Sequence, residues 1–287
     1  MKRYSVLATL CLGAVSLAAL SCPSSAAPKK PAAPAVRAAS AGPTDADFRT
    51  VDPENVLVID TTQGRIYVEM SPELAPATVA RIKELARENF YDGLTFHRVV
   101  DKFMVQGGDP KGDGSGGSTR PNVPGEFIFR RGPDTPFVRV LAVAGLEDGF
   151  VKSLPVRTQN TGLMIMTQDG KVQAWGLWCK GVVGFARANE PDSGNSQFFL
   201  MRDFTDSLEQ HYTPWGRVLA GQNVVDVLKQ GEPPPVPDKM VTVRVLADLP
   251  AAGRPKISVL DTQSAAFKAL AANAVSVCDI DLPAKVE

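Results

Sequence analysis

Segment 96–109, FHRVVDKFMVQGGD, contains a histidine, an arginine, a glutamine and two phenylalanines and then runs into a glycine-rich loop. His97 would be the natural acid or base of a hydrolase. The segment has no serine or cysteine nucleophile, and no second acidic residue lies near the first one. A secreted hydrolase that uses His97 is therefore disfavoured, and the chemistry must depend on another group.

Two later segments accompany the first one, GNSQFFL at residues 194–200 and LEQHYTPWGRV at residues 208–218. In this order the three segments resemble the cyclophilin family of peptidyl-prolyl cis-trans isomerases. The resemblance covers about residues 51–249, interrupted by a long insertion. It implies an all-β dominated fold, with a closed eight-stranded antiparallel barrel capped by two helices.

Prolyl isomerisation needs no nucleophile, because no covalent bond is broken. The rotation barrier of an X-Pro amide is roughly 20 kcal/mol, and the prolyl nitrogen regains a lone pair at the twisted geometry. A donor aimed at that nitrogen stabilises the transition state more than either planar state. Arg98 is permanently charged and has several donors, and it could contribute on the order of 3 kcal/mol, about a hundredfold in rate.

The resemblance places Phe103 and Gln106 beside Arg98 in the catalytic set. Gln106 can hold a substrate carbonyl, whereas strand alternation would point Phe103 away from the groove, so Phe103 is assigned by resemblance alone. In isolation the apolar residues would be better explained as core, and only the three ordered segments favour a site. The residues assigned to substrate binding are Met104, Ala186, Gln197, Phe199, Leu208 and Tyr212.

Neighbouring positions qualify this assignment. His97 should face away from Arg98, and we interpret it as a hydrogen-bonded structural residue. Ser207 stands where many cyclophilins have a tryptophan, and Tyr212 replaces a common groove histidine. We therefore expect an active isomerase that cyclosporin inhibits weakly, and a nanomolar inhibition constant would contradict this expectation.

The glycine-rich loop GGDPKGDGSGG, residues 107–117, lacks the ending of a phosphate-binding loop. Lys111 and Arg120 stand where a calcium loop needs oxygen ligands, and two histidines in the whole chain do not support a zinc site. We expect no cofactor and no metal. The loop is predicted to be a flexible turn around the groove.

The elements that must position these residues are mostly short strands. Residues 55–70 predict a β-hairpin, and apolar residues at helical spacing predict a helix over 74–93 with Gly93 as its stop signal. A second short helix is expected in QNVVDVLKQG, residues 222–231. Many strands with two helices, and no repeated βαβ unit, favour an antiparallel barrel or sandwich. The other expected strands are LTFHRVV, FMVQGG, the two flanks of residues 186–197, YTPWGRVLAG and KMVTVRVLADL.

Two regions carry no chemical motif. The insertion, residues 127–180, could extend the sheet as a hairpin with its turn at Asp169 and Gly170. The C-terminal extension, residues 251–287, has enough apolar residues for a strand and a short helix. Cys179 and Cys278 could pair in an oxidising compartment, although two free buried thiols are the simpler interpretation.

The N-terminus has the features of an export signal. Lys2 and Arg3 precede an apolar run at residues 4–20, which is short for a membrane-spanning helix of about 20 residues. Cleavage after Ala26 fits, but ALSC ending at Cys22 also resembles a lipobox, which would make residues 1–21 the signal and put a lipid on Cys22. Residues 27–50 are predicted to be a disordered Ala/Pro-rich tether, and we expect a protein of the bacterial periplasm.

The charge balance restricts the partners. Lys and Arg total 31, and so do Asp and Glu, so the basic excess typical of nucleic-acid or anionic-membrane binding is missing. We expect a monomer that acts on proline-containing polypeptides through a domain at residues 51–250. The alternative is a non-catalytic peptide-binding or chaperone module that uses the same groove, with the insertion and the C-terminal extension covering or replacing it.

Overall fold

The computed structural model describes residues 42–287, so the predicted signal, Cys22 and residues 27–41 of the predicted tether lie outside the described residues. The helices within 42–287 are α1 (Pro76–Arg87), α2 (Gln222–Val227) and α3 (Ala265–Ala271). The strands of the same residues are β1 (Phe48–Thr50), β2 (Val56–Thr61), β3 (Gly64–Met70), β4 (Arg98–Val99), β5 (Met104–Gly107), β6 (Phe129–Arg131), β7 (Phe137–Val143), β8 (Leu146–Val151), β9 (Leu154–Gln159), β10 (Val172–Gly176), β11 (Val182–Phe185), β12 (Phe198–Met201), β13 (Thr213–Ala220), β14 (Met240–Val245), β15 (Ile257–Leu260) and β16 (Ala284–Val286).

The largest sheet has eight antiparallel strands in the order β14-β2-β3-β13-β11-β12-β5-β4. It curls until the segments beside its two edges meet, where Thr95 bridges to Lys239 and Val99 to Gly231. The eight antiparallel strands are thus confirmed. The predicted closure of the barrel was wrong: the sheet is a curled half-barrel, because isolated bridges rather than a strand ladder join β4 to the segment before β14.

Helix α1 covers one side of this sheet. Its apolar residues Val79, Ile82 and Leu85 are buried in the barrel core, as their spacing predicts. Pro76 begins the helix, and the carboxylate of Glu126 accepts from the free amides of the first turn, at 2.9 Å. The helix ends at Arg87, earlier than predicted, because the chain turns away through a left-handed residue at Asn89.

The insertion forms a sheet of its own, in the order β6-β10-β9-β8-β7. The expectation that it extends the large sheet as one hairpin was therefore wrong. Its strands pair among themselves in long antiparallel registers, and this satisfies their backbone hydrogen bonds locally. Asp169 and Gly170 lie in the connection from β9 to β10 instead of at a tight hairpin turn.

The first described strand and the last two form a third sheet, β1-β15-β16. The extension forms the predicted strand and short helix, and adds β16. Strand β1 corrects the predicted tether, because Phe48–Thr50 pairs with β15 and belongs to the folded body. Arg49 of this strand makes two 2.7 Å hydrogen bonds to the buried carboxylate of Glu69 on β3.

A disulfide joins Cys179, at the end of the insertion, to Cys278 in the extension, with 5.1 Å between the Cα atoms. The simpler interpretation of two free thiols was wrong. Both residues belong to a second apolar cluster, which lies between the large sheet and the two added segments. Within residues 42–287, none of the helices has the length and apolar character needed to cross a membrane.

Candidate active site

A cavity of about 160 Å³ opens on the outer face of the large sheet. Eight of the nine predicted site residues line it, and the ninth, Gln197, lies beside it in an adjoining cavity of about 310 Å³. The lining residues of the smaller cavity are Arg98, Phe103, Met104, Gln106, Ala186, Arg187, Phe199, Leu208 and Tyr212. Residues more than 100 positions apart thus converge on one small groove.

Strand β5 supplies one wall. Met104 and Gln106 face the cavity, while Val105 between them packs into the barrel core, as strand alternation predicts. Phe103 also lines the cavity, because it precedes the strand and alternation does not apply to it. The turn before it passes through Lys102 with a φ of 49°, in the left-handed region.

Arg98 lies on β4, directly across from Gln106 in the strand register. Its guanidinium carbon lies 5.9 Å from the centre of the Phe103 ring. Its Nε donates to Oε2 of Glu232 at 2.7 Å. The guanidinium makes no other hydrogen bond within residues 42–287. Its Nη1 and Nη2 therefore keep their donors for a ligand in the groove.

The polar wall continues from Gln106. Its Nε2 donates to Oε1 of Gln197 at 2.9 Å, and Nε2 of Gln197 donates to the backbone carbonyls of Gly114 at 3.0 Å and Gly116 at 2.8 Å. The amide positions of both glutamines are thereby fixed. The wall between the two cavities is a hydrogen-bonded chain that ends in the glycine-rich loop.

That loop is more ordered than the flexible turn predicted from its glycines. The buried carboxylate of Asp109 accepts from the backbone amides of Lys111, Asp113 and Gly114, at 2.6 to 3.1 Å. Burial alone would raise the pKa of Asp109, but these amides outweigh it and the pKa lies below its ordinary value. Asp109 is therefore the ionised centre around which the loop folds.

The apolar wall is built from aromatic rings. Phe199 on β12 stacks on Trp178, with 5.3 Å between ring centres, and meets Tyr212 edge to face at 5.8 Å. Leu208 and Tyr212 come from the turn that leads into β13 and line the same cavity as Met104. Such a slot suits a proline ring.

The insertion supports this wall from behind. Nε1 of Trp175 donates to the carboxylate of Glu209 at 2.9 Å, and Arg157 lies 3.4 Å from the same oxygen. The amide of Thr205 donates to the carbonyl of Trp178 at 3.1 Å. Among the described residues, none from 127–180 lines the smaller cavity, so the insertion braces the groove without covering it.

His97 faces away from the groove and is only 4% exposed. The expected hydrogen bond is missing, because neither ring nitrogen has a partner within residues 42–287. Burial lowers the pKa of His97, opposed by the carboxylate of Asp109 and reinforced by the charge of Arg98. The ring is therefore a neutral, buried side chain under the glycine-rich loop.

The sequence did not predict Arg187, which lines the groove, or Glu232, which contacts Arg98. Arg187 lines both cavities and lies 4.6 Å from the centre of the Tyr212 ring; its position next to Ala186 was a usable signal. Glu232, the partner of Arg98, is 134 positions away along the chain. Nothing in its local sequence, GEPPPVPD, points to the groove.

Comparison with known proteins agrees with this geometry. The family model for cyclophilin type peptidyl-prolyl cis-trans isomerase/CLD matches residues 56–245. Proteins of Brucella suis and Brucella abortus named "Probable peptidyl-prolyl cis-trans isomerase" are each 33% identical over 213 residues, which span 69% of this chain and 85% of theirs. The crystal structure of cyclophilin AquaCyp293 from Hirschia baltica is 36% identical, with a TM-score of 0.79, and the match covers 83% of this chain and 93% of that one.

The matched residues begin with the first strand of the eight-stranded sheet and end with its last one, β14. They include every residue that lines the smaller cavity. The chain therefore belongs to the cyclophilins and is a peptidyl-prolyl cis-trans isomerase.

Proposed function

We propose that this isomerase accelerates X-Pro rotation in exported polypeptides and that Arg98 donates to the prolyl nitrogen of the twisted transition state. One observation carries the proposal: the guanidinium shares a 160 Å³ cavity with an apolar slot. A proline ring held in the slot has its nitrogen within reach of a cation whose terminal donors are unused. The hydrogen bond strengthens only as the amide loses conjugation, so it raises the rate of rotation more than the affinity for substrate.

The other side chains hold the substrate. Phe103, Met104, Phe199, Leu208 and Tyr212 enclose the ring, because they form the apolar lining of the cavity. Gln106 forms a hydrogen bond with the substrate backbone, while its hydrogen bond to Gln197 holds the side-chain amide of Gln106 in place. Ala186 leaves room for the chain to pass between the two cavities. The groups that the protein contributes to the proposed reaction are all side chains.

Export rests on two features. The first is the apolar N-terminal segment with its cleavage motifs. The second is the Cys179–Cys278 disulfide, which supports an oxidising compartment such as the periplasm. Mass measurement of the mature N-terminus after cell fractionation tests both: cleavage after Ala26 predicts a free periplasmic protein, and a lipid on Cys22 predicts a membrane-bound one. A cytoplasmic protein that keeps Met1 would contradict export.

The alternative is a non-catalytic peptide-binding or chaperone module, in which the insertion and the C-terminal extension cover or replace the groove. The lining of the cavity gives it no support. Turnover separates the two functions: in a protease-coupled proline peptide assay, Arg98→Ala is expected to lower kcat/KM by about a hundredfold. Arg87→Ala is the matched control, because Arg87 pairs with Glu54 and Asp248 away from the groove. Full turnover in Arg98→Ala would contradict the proposal.

A further inference from the structure

The ion pair between Arg98 and Glu232 is the feature that the proposed reaction leaves unused. Isomerisation needs no acid or base, yet a carboxylate lies 2.7 Å from the guanidinium assigned to catalysis. The Arg98 and Glu232 side chains are 39% and 55% exposed. An ion pair with that much solvent contact contributes little to folding stability. Its location beside the reacting group therefore needs a different explanation.

Glu232 is held at a defined place. It follows Gly231, which exchanges two backbone hydrogen bonds with Val99, at 2.8 and 3.0 Å, next to Arg98 itself. Four prolines follow within six residues, at positions 233, 234, 235 and 237, and each fixes its own φ angle. The loop is thus attached to β4 on one side of Glu232 and stiffened on the other.

The far end of the loop is anchored as well. Asp238 is buried, and its carboxylate accepts from Oγ1 of Thr62 at 2.7 Å, Nε2 of Gln63 at 2.8 Å and the amide of Lys229 at 2.9 Å. These contacts outweigh the cost of burial and hold the pKa of Asp238 below its ordinary value. A carboxylate presented from such a loop has few alternative positions.

The contact also has a specific geometry. Glu232 takes Nε, the donor nearest the backbone, and leaves the two terminal nitrogens for the groove. The ring of Phe103 lies near the guanidinium from another direction. A long and flexible side chain is thereby restricted at Nε, which directs its outer donors without using them.

We propose that Glu232 is a positioning residue: it accepts a hydrogen bond from Nε of Arg98 and so aims the terminal nitrogens at the prolyl nitrogen. This inference rests on the proposed role of Arg98. Substrate binding depends on the apolar slot and on Gln106, and Glu232 is not among the described residues that line that cavity. Its loss should therefore reduce kcat and leave KM nearly unchanged.

Steady-state kinetics of single variants tests this on the full mature protein. Glu232→Ala is expected to lower kcat by about fivefold with KM within about twofold, since only orientation is lost. Glu232→Gln should keep kcat within about twofold, because its amide oxygen still accepts from Nε. Glu54→Ala, which breaks an exposed Glu–Arg pair elsewhere, is the control and should match the wild type. Unchanged kcat in Glu232→Ala, or an equal loss in Glu232→Gln, would overturn the positioning role.

A double variant separates this inference from the proposed function. In the Arg98→Ala background, Glu232→Ala should have no further effect on the residual rate, because the group that it positions is gone. An additional fivefold loss there would show that Glu232 acts independently of Arg98 and would overturn the inference. If Arg98→Ala alone keeps full turnover, the proposed function fails instead.

Discussion

At the scale of single residues, the groove depends on one position without a side chain. Gly184 on β11 lies across from Phe199, and a Cβ atom there would stand 2.3 Å from the Phe199 ring and 2.5 Å from Trp178. The stacked pair that forms the apolar wall fits only against a glycine. The sequence segments placed Phe199 in the groove, and Phe199 lines the cavity, but they gave no sign of the close approach to Gly184.

Gly184→Ala is predicted to displace Phe199 into the slot. We expect kcat/KM to fall by about tenfold and stability by about 1–3 kcal/mol, because overpacking forces neighbouring side chains out of place. Gly42→Ala is the control, since no other atom of residues 42–287 lies within 4 Å of a Cβ built there. Kinetics and chemical denaturation measure the two effects, and wild-type values for both would contradict the packing argument.

His97 makes stability depend on pH. Because burial lowers its folded pKa below the ordinary 6.5, the unfolded chain takes up a proton that the folded chain refuses. The contribution of His97 to stability is fully present above pH 6.5 and is lost as the pH falls toward the folded pKa. We predict a smaller free energy of unfolding at pH 5.5 than at pH 7.5.

Urea denaturation at the two pH values measures this slope. His97→Asn should flatten it, whatever the variant does to stability at pH 7.5. His211→Asn, which changes an exposed histidine, should retain it. An unchanged slope in His97→Asn would rule out His97 as the source.

At the scale of elements, the insertion packs behind the apolar wall of the groove and supports it. Its sheet places Trp175 and Arg157 against Glu209, one residue from Leu208. Its last residues place Trp178 under Phe199. The insertion is visible in the sequence but its role is not, because a contact of Trp175 with a residue 34 positions away leaves no local pattern.

Trp175→Phe is predicted to loosen the Leu208 side of the slot. The indole donor to Glu209 is lost while the aromatic volume is largely kept, so we expect KM to rise by about two- to fivefold and kcat to change little. Glu190→Gln is the kinetic control, because Glu190 is exposed and belongs neither to the Trp175–Glu209 contact nor to the Trp178–Phe199 stack. Higher turnover in Trp175→Phe would instead indicate that the insertion restrains the groove.

At the scale of the whole molecule, one hydrogen-bonded network connects β1, the insertion and the C-terminal extension to the large sheet. Arg49 of β1 binds Glu69 of β3, and Ser153 of the insertion donates to the same carboxylate. Arg217 of β13 donates to the carbonyls of Ser153 and Ile280. Because Arg217 is buried, desolvation lowers its pKa to about 10, and it stays charged at neutral pH. The disulfide closes the same assembly.

Reduction of this disulfide is predicted to destabilise the fold. The bond closes a loop across 99 positions, for which chain entropy gives roughly 4–5 kcal/mol. Denaturation with and without reductant measures the loss. The double variant Cys179→Ser, Cys278→Ser should be insensitive to reductant, and an identical midpoint for the fully reduced and oxidised wild type would contradict the prediction.

Much of this architecture was predictable where the signals were local. The hairpin β2–β3, helix α1 and the alternation of Met104 and Gln106 follow from periodicity, and the three ordered segments identified the groove. Strand β1, the separate sheet of the insertion and the disulfide did not follow, because each depends on pairing between distant segments. Glu232 belongs with these, since only the curl of the sheet brings it to Arg98.

The central claim is that Arg98 stabilises the twisted amide rather than the bound substrate. Exchange NMR of a proline peptide with the mature protein measures binding and catalysed rotation separately. In Arg98→Ala we predict a Kd within about threefold of the wild type and an exchange rate about a hundredfold lower. Wild-type exchange in Arg98→Ala, with binding retained, would contradict the account.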